Sequence, residues 1–409
     1  SRARHFARLD FSGHANMPIQ SMGASPILSG AASGPSNQRS EMIKNIYRLQ
    51  LASPAFLGDA DQRGAWRTPP LKALIREWWR IAVAPELGYD EQALRQREAS
   101  LFGTAADDSR SDNQQSRIRL ALQDWREGSL KSWADVNPSD RGKPGADPKV
   151  RHPEVRHPEV DFGGGMIGSQ LYLGYGPLQL AKGQPAPKLK DDKPALKDTE
   201  TNLLKLAFPD IHAHEIGMAV GLAHWFGTIG GRSRNGWGSL AWQALDDSPT
   251  LQALSKAALQ QTGCVRPLTR CLDLDWPHAI GNDGKGVLVW QSTQTFAHWR
   301  EAMKFLAQTK IDFRFALGFT TGENSPRVEP RHVIAYPITK HHVGRWGRNV
   351  RLANTLRFKL NAEADGTLRA LIYHTPCKPT LPHHGINLLD TWQQVHRHLD
   401  TTPQLTRLA

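Results

Sequence analysis

Apolar positions along this chain recur with two different spacings, and the changes of spacing mark out its elements. Residues 43–51 alternate in part, as a strand with one buried face does. Ser53, Pro54 and Gly58 end that run. Thr68 is placed to cap a helix, with Pro69 at the first helical position, where its missing N–H costs nothing. Leu71, Leu74, Ile75, Trp78, Trp79 and Ala82 then recur at helical spacing to about Val83. Residues 116–125 predict a second strand, with Ile118, Leu120 and Leu122 alternating against Arg117, Arg119 and Gln123. Residues 170–175 predict a third. Asp210 is placed to cap a helix over 211–226 with Ile216, Val220, Ala223 and Phe226 on its buried side, and Gly227 and Gly230 end it. A strand over 237–245 completes the order strand, helix, strand, strand, helix, strand.

A similar order follows after about residue 265. Strands are predicted at 272–275, 287–291 and 332–338, with a helix at 295–308 carrying Phe296, Trp299, Met303 and Phe305. A hairpin joins 356–360 to 370–374 through Asp365-Gly366, and a last helix covers 388–399. Two split βαβ units, an α+β arrangement, fit this repetition. The domains are then 42–250 and 251–409, after a Ser-, Gly-, Ala- and Pro-rich leader over 1–41 that lacks fixed structure. Residues 138–198 are dominated by Pro, Lys, Asp and Gly and are expected to form exposed insertions, apart from the strand at 170–175. They hold a tandem Arg-His-Pro-Glu-Val at 151–160, too few copies for a solenoid.

At 409 residues, 39% of them apolar and 13 of them tryptophan, the chain can bury a sizeable core, and its formal net charge is +12. That charge favours a polyanionic partner. The absence of an apolar run of about 18 residues argues against a membrane span, and the absence of a lysine-rich amphipathic helix argues against a membrane surface. The odd, sparse cysteines Cys264, Cys271 and Cys377 fit a reducing cytoplasm better than a disulfide framework. Residues 1–16 lack the apolar stretch of a secretory signal and read as a leader or upstream extension.

The run Gly230-Gly231-Arg232-Ser233-Arg234-Asn235-Gly236-Trp237-Gly238-Ser239 stands out. Glycine allows positive φ and close approach of another polymer, and the arginine fork matches phosphate. The run predicts a loop that touches a phosphate backbone through Arg232, Arg234 and Asn235. Trp237 either stacks on a base or begins the core of the next strand. A mononucleotide P-loop needs Lys-Ser or Lys-Thr after the last glycine, which Gly238-Ser239-Leu240 lacks. Lys72, Arg76 and Arg80 form a basic row along the first helix. Like charges so spaced cost about 0.2–0.5 kcal/mol per pair, so the row predicts an anionic ligand or a solvated face partly neutralised by Glu77. Arg345 and Arg348, in the segment 340–351, repeat the glycine–arginine theme as an RNA-contacting loop or a plain surface one. Asp59 and Asp61 follow the first strand, where acidic residues mostly form turns. The pairs His212/His214, His341/His342 and His383/His384 lack zinc-site spacing, so neither metal nor cofactor is expected.

Four stretches in order carry a resemblance: Pro54-Ala55-Phe56-Leu57-Gly58; residues 67–80 with their tryptophan pair; Glu98-Ala99-Ser100-Leu101-Phe102-Gly103; and the glycine-rich run. Together they resemble the RAMP superfamily of CRISPR proteins. With Arg331-His332-Val333-Ile334-Ala335-Tyr336-Pro337 they are most similar to the first RAMP subunit of type III-B Cmr effectors. The family usually has Ser where this chain has Tyr336, and the 138–198 insertion is unusual for it. The resemblance implies two ferredoxin-like (RRM-like) domains and a non-catalytic role in antiviral defence. The implied partners are guide RNA near its 3′ end, target RNA and other Cas RAMP subunits. The alternative is a RAMP-fold endoribonuclease, in which Asp59 or Asp61 would take the place of the acidic residue that cleaving RAMP subunits carry in this loop.

Overall fold

The structure, a computed structural model, describes residues 41–104, 113–136, 153–160, 164–182, 186–318, 320, 322–338, 341–347, 349–383 and 385–408. The leader expected over 1–41 lies, but for its last residue, outside them.

β1 (Met42–Leu51) buries Tyr47, Leu49 and Leu51 on one face, the alternation its sequence half shows. α1 (Thr68–Val83) and α2 (Glu91–Phe102) follow, then β2 (Arg119–Leu122), α3 (Ser169–Gly174), β3 (Thr201–Pro209), α4 (Ala213–Phe226) and β4 (Leu240–Leu245). Four of these strands make an antiparallel sheet of order β2-β3-β1-β4, with Tyr47 opposite Leu204 and Leu51 opposite Leu240. α1 and α4 share one core with that sheet, where Trp78 meets Phe226 at 5.4 Å.

The second sheet uses β5 (Val289–Ser292), β6 (Leu356–Ala362), β7 (Leu368–His374) and β8 (Leu405–Arg407) in the order β6-β7-β5-β8. α5 (Trp299–Phe315) lies between β5 and β6 in the chain, and α6 (Leu388–Thr401) between β7 and β8. Met303, Leu306 and Ile311 of α5 join Trp392, Val395 and Leu399 of α6 in a second core. The two sheets therefore repeat one strand order.

They are joined along β6. Phe358 N–H donates to the Arg234 carbonyl (3.1 Å) and Leu360 N–H to Ser239 Oγ (2.9 Å). Tyr373 Oη donates to the Phe226 carbonyl at 2.9 Å, and buried Arg357 meets Glu77 at 2.5 Å. Lys359 Nζ, also buried, donates to the His224 carbonyl.

Several expectations change. Residues 170–175 are not a strand: α3 buries Ser169, Gln170, Leu173 and Gly174, the spacing of one helix face. The third strand is β3, whose alternating burial places Leu204, Leu206 and Phe208 in the core. The described part of 138–198 is not merely exposed, since Val155, Leu173, Leu178, Leu189 and Leu196 are buried. No strand occupies 332–338; a short helix Pro330–Ile334 starts there, with Glu329 and His332 forming a reciprocal cap. Nor do 272–275 form a strand; they follow the turn of helix Leu268–Cys271. The helix expected at 295–308 begins at Trp299 and runs to Phe315. Thr68 is the first residue of α1 rather than its cap, which falls on Arg67 without a side-chain bond. The hairpin at Asp365-Gly366 and the last helix stand where the sequence places them.

Candidate nucleic-acid interface

The glycine-rich loop is built into the protein on three sides. Gly231 N–H donates to the Phe56 carbonyl (2.8 Å) and Gly238 N–H to the Pro54 carbonyl (2.9 Å). Ser53 Oγ and Ser239 Oγ both donate to the Gly236 carbonyl, at 2.7 and 2.9 Å. Gly230, Gly236 and Gly238 have φ of 88°, 89° and 65°, the left-handed region that glycine reaches without strain. At Gly238 a Cβ would stand 2.0 Å from the Ile229 carbonyl oxygen, and at Gly230 2.7 Å from that of Phe56. The close approach these glycines permit is to the protein's own backbone. The expectation that they clear room for a phosphate chain is corrected on that ground.

Trp237 is fully buried, its ring 5.2 Å from Phe56, 5.6 Å from Trp133 and 5.5 Å from Trp299. A base has no access to it; it is a core residue, as one of the two readings has it, but of the loop packed on the second core and not of β4, which begins at Leu240. Asn235 is buried too: Nδ2 donates to the Leu173 carbonyl (2.8 Å), and Oδ1 accepts from Lys310 Nζ (2.9 Å). Its amide tethers α3 and α5 to the loop, and its burial keeps it from a phosphate.

Between these buried residues Arg232 and Arg234 point outward. Both are exposed and form no ion pair among the described residues. Partial desolvation lowers the pKa of each guanidinium, and so do Arg351 beside Arg232 and Arg357 beside Arg234. Arg232 also sits at φ 59°, unusual for a non-glycine residue. Arg351, exposed and likewise unpaired among the described residues, thus extends the cationic patch; in the sequence it is one arginine among several of its segment.

Lys310 lies beneath this patch. Burial, then Arg314 and Arg232, lower its pKa to about 7. A lysine in the unfolded chain titrates near about 10.4, so between about pH 7 and 10.4 the unfolded state holds the extra proton and stability rises with pH. Lys359, buried and also depressed, acts in the same direction. Comparing the urea midpoint of the parent with that of Lys310→Met isolates the Lys310 share. The parent is expected to gain on the variant as pH rises from about 7 to 9.5, and parallel curves would show that Lys310 is not held uncharged.

The basic row of α1 has partners in the protein. Arg76 Nε and Arg80 Nη2 donate to Glu98 Oε1 at 2.6 and 2.8 Å, and Lys72 Nζ to the Phe102 carbonyl at 3.0 Å. Burial raises the pKa of Glu98, but Arg80 and Arg76 outweigh it and hold the carboxyl below its ordinary value. The repulsion within the row is offset chiefly by Glu98 of α2, and Glu77, which also pairs with Arg357, adds to the favourable field at Arg80. Arg345 is exposed at the rim of a cavity of about 710 Å³ shared with Arg327 and Glu329. Arg348 lies outside the described residues.

Asp59 Oδ1 accepts the N–H groups of Asp61 and Arg63, both at 2.9 Å, and Asp61 pairs with Arg63 at 3.2 Å. The Arg63 N–H, chiefly, keeps the Asp59 carboxyl below its usual range. These carboxylates close a turn, the role acidic residues mostly take in such loops. His212 contacts Glu215 and His341 stacks on His332, while His384 is outside the described residues. Among the described residues no group of His, Cys, Asp and Glu is arranged to hold a metal, and no helix is long and apolar enough to cross a membrane.

No protein-family model matches the chain. The CRISPR system Cmr subunit Cmr1-2 of Pyrococcus furiosus is 27% identical over 99 residues, 23% of this chain and 50% of the relative. The chain thus spans about half the length of that curated relative. Among solved structures, the apo crystal structure of Cmr1 from Pyrococcus furiosus covers 90% of this chain and 98% of its own, at 12% identity and a TM-score of 0.44. A chain of the type III-B Cmr-beta complex, bound to cognate target RNA and AMPPnP in the presence of ssDNA, covers 88% of this chain and 99% of its own, at 10% identity and a TM-score of 0.44. Structural likenesses this loose decide nothing about function. In sequence, the chain is similar to a Cmr RAMP subunit, as its motifs predict.

Proposed function

We propose that this chain is a non-catalytic RNA-binding subunit of a type III-B CRISPR effector. In this reading it contacts guide RNA near its 3′ end, together with target RNA, beside other RAMP subunits in the cytoplasm. The observation that carries the reading is the patch of Arg232, Arg234 and Arg351, exposed without ion pairs among the described residues, on and beside a loop whose backbone is fixed from three sides. Guanidinium groups without a carboxylate in ion-pair contact are matched by the phosphates of a nucleic acid. The likeness to a Cmr subunit supports the assembly. The strand order of each sheet, fourth strand beside the first, supports two ferredoxin-like domains over 42–250 and 251–409.

The test is binding of single-stranded RNA to Arg232→Ala/Arg234→Ala across a salt series. Affinity should fall for all sequences, and the salt slope should shallow by about 0.7 for each phosphate no longer neutralised. Unchanged affinity and slope would remove the loop from the interface. Incubation with labelled guide and target RNA, with and without magnesium, should yield intact RNA. Cleavage that Asp59→Ala or Asp61→Ala abolishes would establish the endoribonuclease instead.

A further inference from the structure

We infer that Tyr175 is a stacking platform for an unpaired base next to the arginine patch, so that the strand gripped there is single-stranded rather than duplex. This rests on the RNA-binding reading above and deepens it. Tyr175 is 60% exposed, and its ring touches no other aromatic or cationic group at stacking distance among the described residues. Its backbone, by contrast, is fixed: it follows α3 directly, and Gly176 N–H donates to the Leu178 carbonyl at 3.1 Å. The turn is seated on the buried loop, since a Cβ at Gly174 would come 3.2 Å from Trp237 Nε1. A Cβ at Gly176 would stand 3.5 Å from Arg232 Nη2, so the Arg232 guanidinium lies over the residue next to Tyr175.

An aromatic face and a guanidinium side by side on rigid backbone fit one nucleotide, base on ring and phosphate on fork. A base paired within a helix offers no free face, which selects single strands. Trp125 is more exposed, at 65%, but its neighbour Arg126 is paired with Asp124 at 3.1 Å and leaves no cation for a phosphate.

Binding of a labelled adenine homopolymer of about 12 nucleotides, and of a blunt RNA duplex of equal length, is compared for the full chain and its variants. Tyr175→Ala should weaken single-strand binding roughly 5- to 100-fold and leave duplex binding unchanged, while Tyr175→Phe retains the parent affinity. If Tyr175→Ala binds single strands like the parent while Arg232→Ala/Arg234→Ala binds them weakly, the platform is refuted and the RNA-binding reading stands. Equal losses on single strand and duplex also refute it. If neither variant alters RNA affinity, the RNA-binding reading itself falls.

Discussion

Gly238→Ala is expected to cost about 2–6 kcal/mol of folding stability. Of this, about 1–3 kcal/mol comes from holding a non-glycine residue at positive φ and about 1–3 kcal/mol from forcing a methyl group into packed structure. The backbone at this position has φ 65°, and its N–H and C=O are both engaged, with Pro54 and Ile229. The new Cβ would stand 2.0 Å from the Ile229 backbone oxygen rather than a mobile side chain, so relief requires the two sides of the loop to part at the Ile229 N–H to Gly238 carbonyl bond. Urea denaturation checks this. A variant of parental stability that had lost only RNA affinity would mean the glycine serves a ligand and not the fold.

Trp237→Ala is expected to cost about 3–5 kcal/mol, as removal of a large buried aromatic does. The indole Nε1 has no hydrogen-bond partner among the described residues, so the loss is one of packing against Phe56, Trp133 and Trp299. Trp237→Phe should recover much of it. A stability change within about 0.5 kcal/mol, the range of surface substitutions, would make Trp237 a base-stacking residue again.

How far the sequence could be read depended on whether a signal was local. β1, α1, α4 and the hairpin at Asp365-Gly366 carry their own periodicity or turn residues, and these suffice to place them, although the expected caps Thr68 and Asp210 do not cap α1 and α4. Residues 169–174 hold a short apolar run that suits a strand or a helix equally, and only packing against the second core decides. β3 begins just after a Lys- and Asp-rich stretch that masked it. The arginine-bearing loop was visible because glycine and arginine are conspicuous together. The pairing of Arg76 and Arg80 with Glu98 was not, because it depends on α2 folding back across α1. Tyr175 escaped notice for a related reason: an aromatic residue in an apolar run reads as core until the helix before it is seen to end.

The seam along β6 has a mechanical consequence. Main-chain bonds tie Phe358 and Leu360 to the loop, while Arg357 and Tyr373 reach across to Glu77 and Phe226. Opening the two sheets like a clamshell would leave the buried Arg357 charge without its partner, at about 3–5 kcal/mol, before the main-chain bonds are counted. A hinge is therefore closed to this molecule. The surface that presents Arg232 and Arg234 behaves as an anvil, and in the proposed RNA complex the ordering entropy falls on the strand that must conform to it.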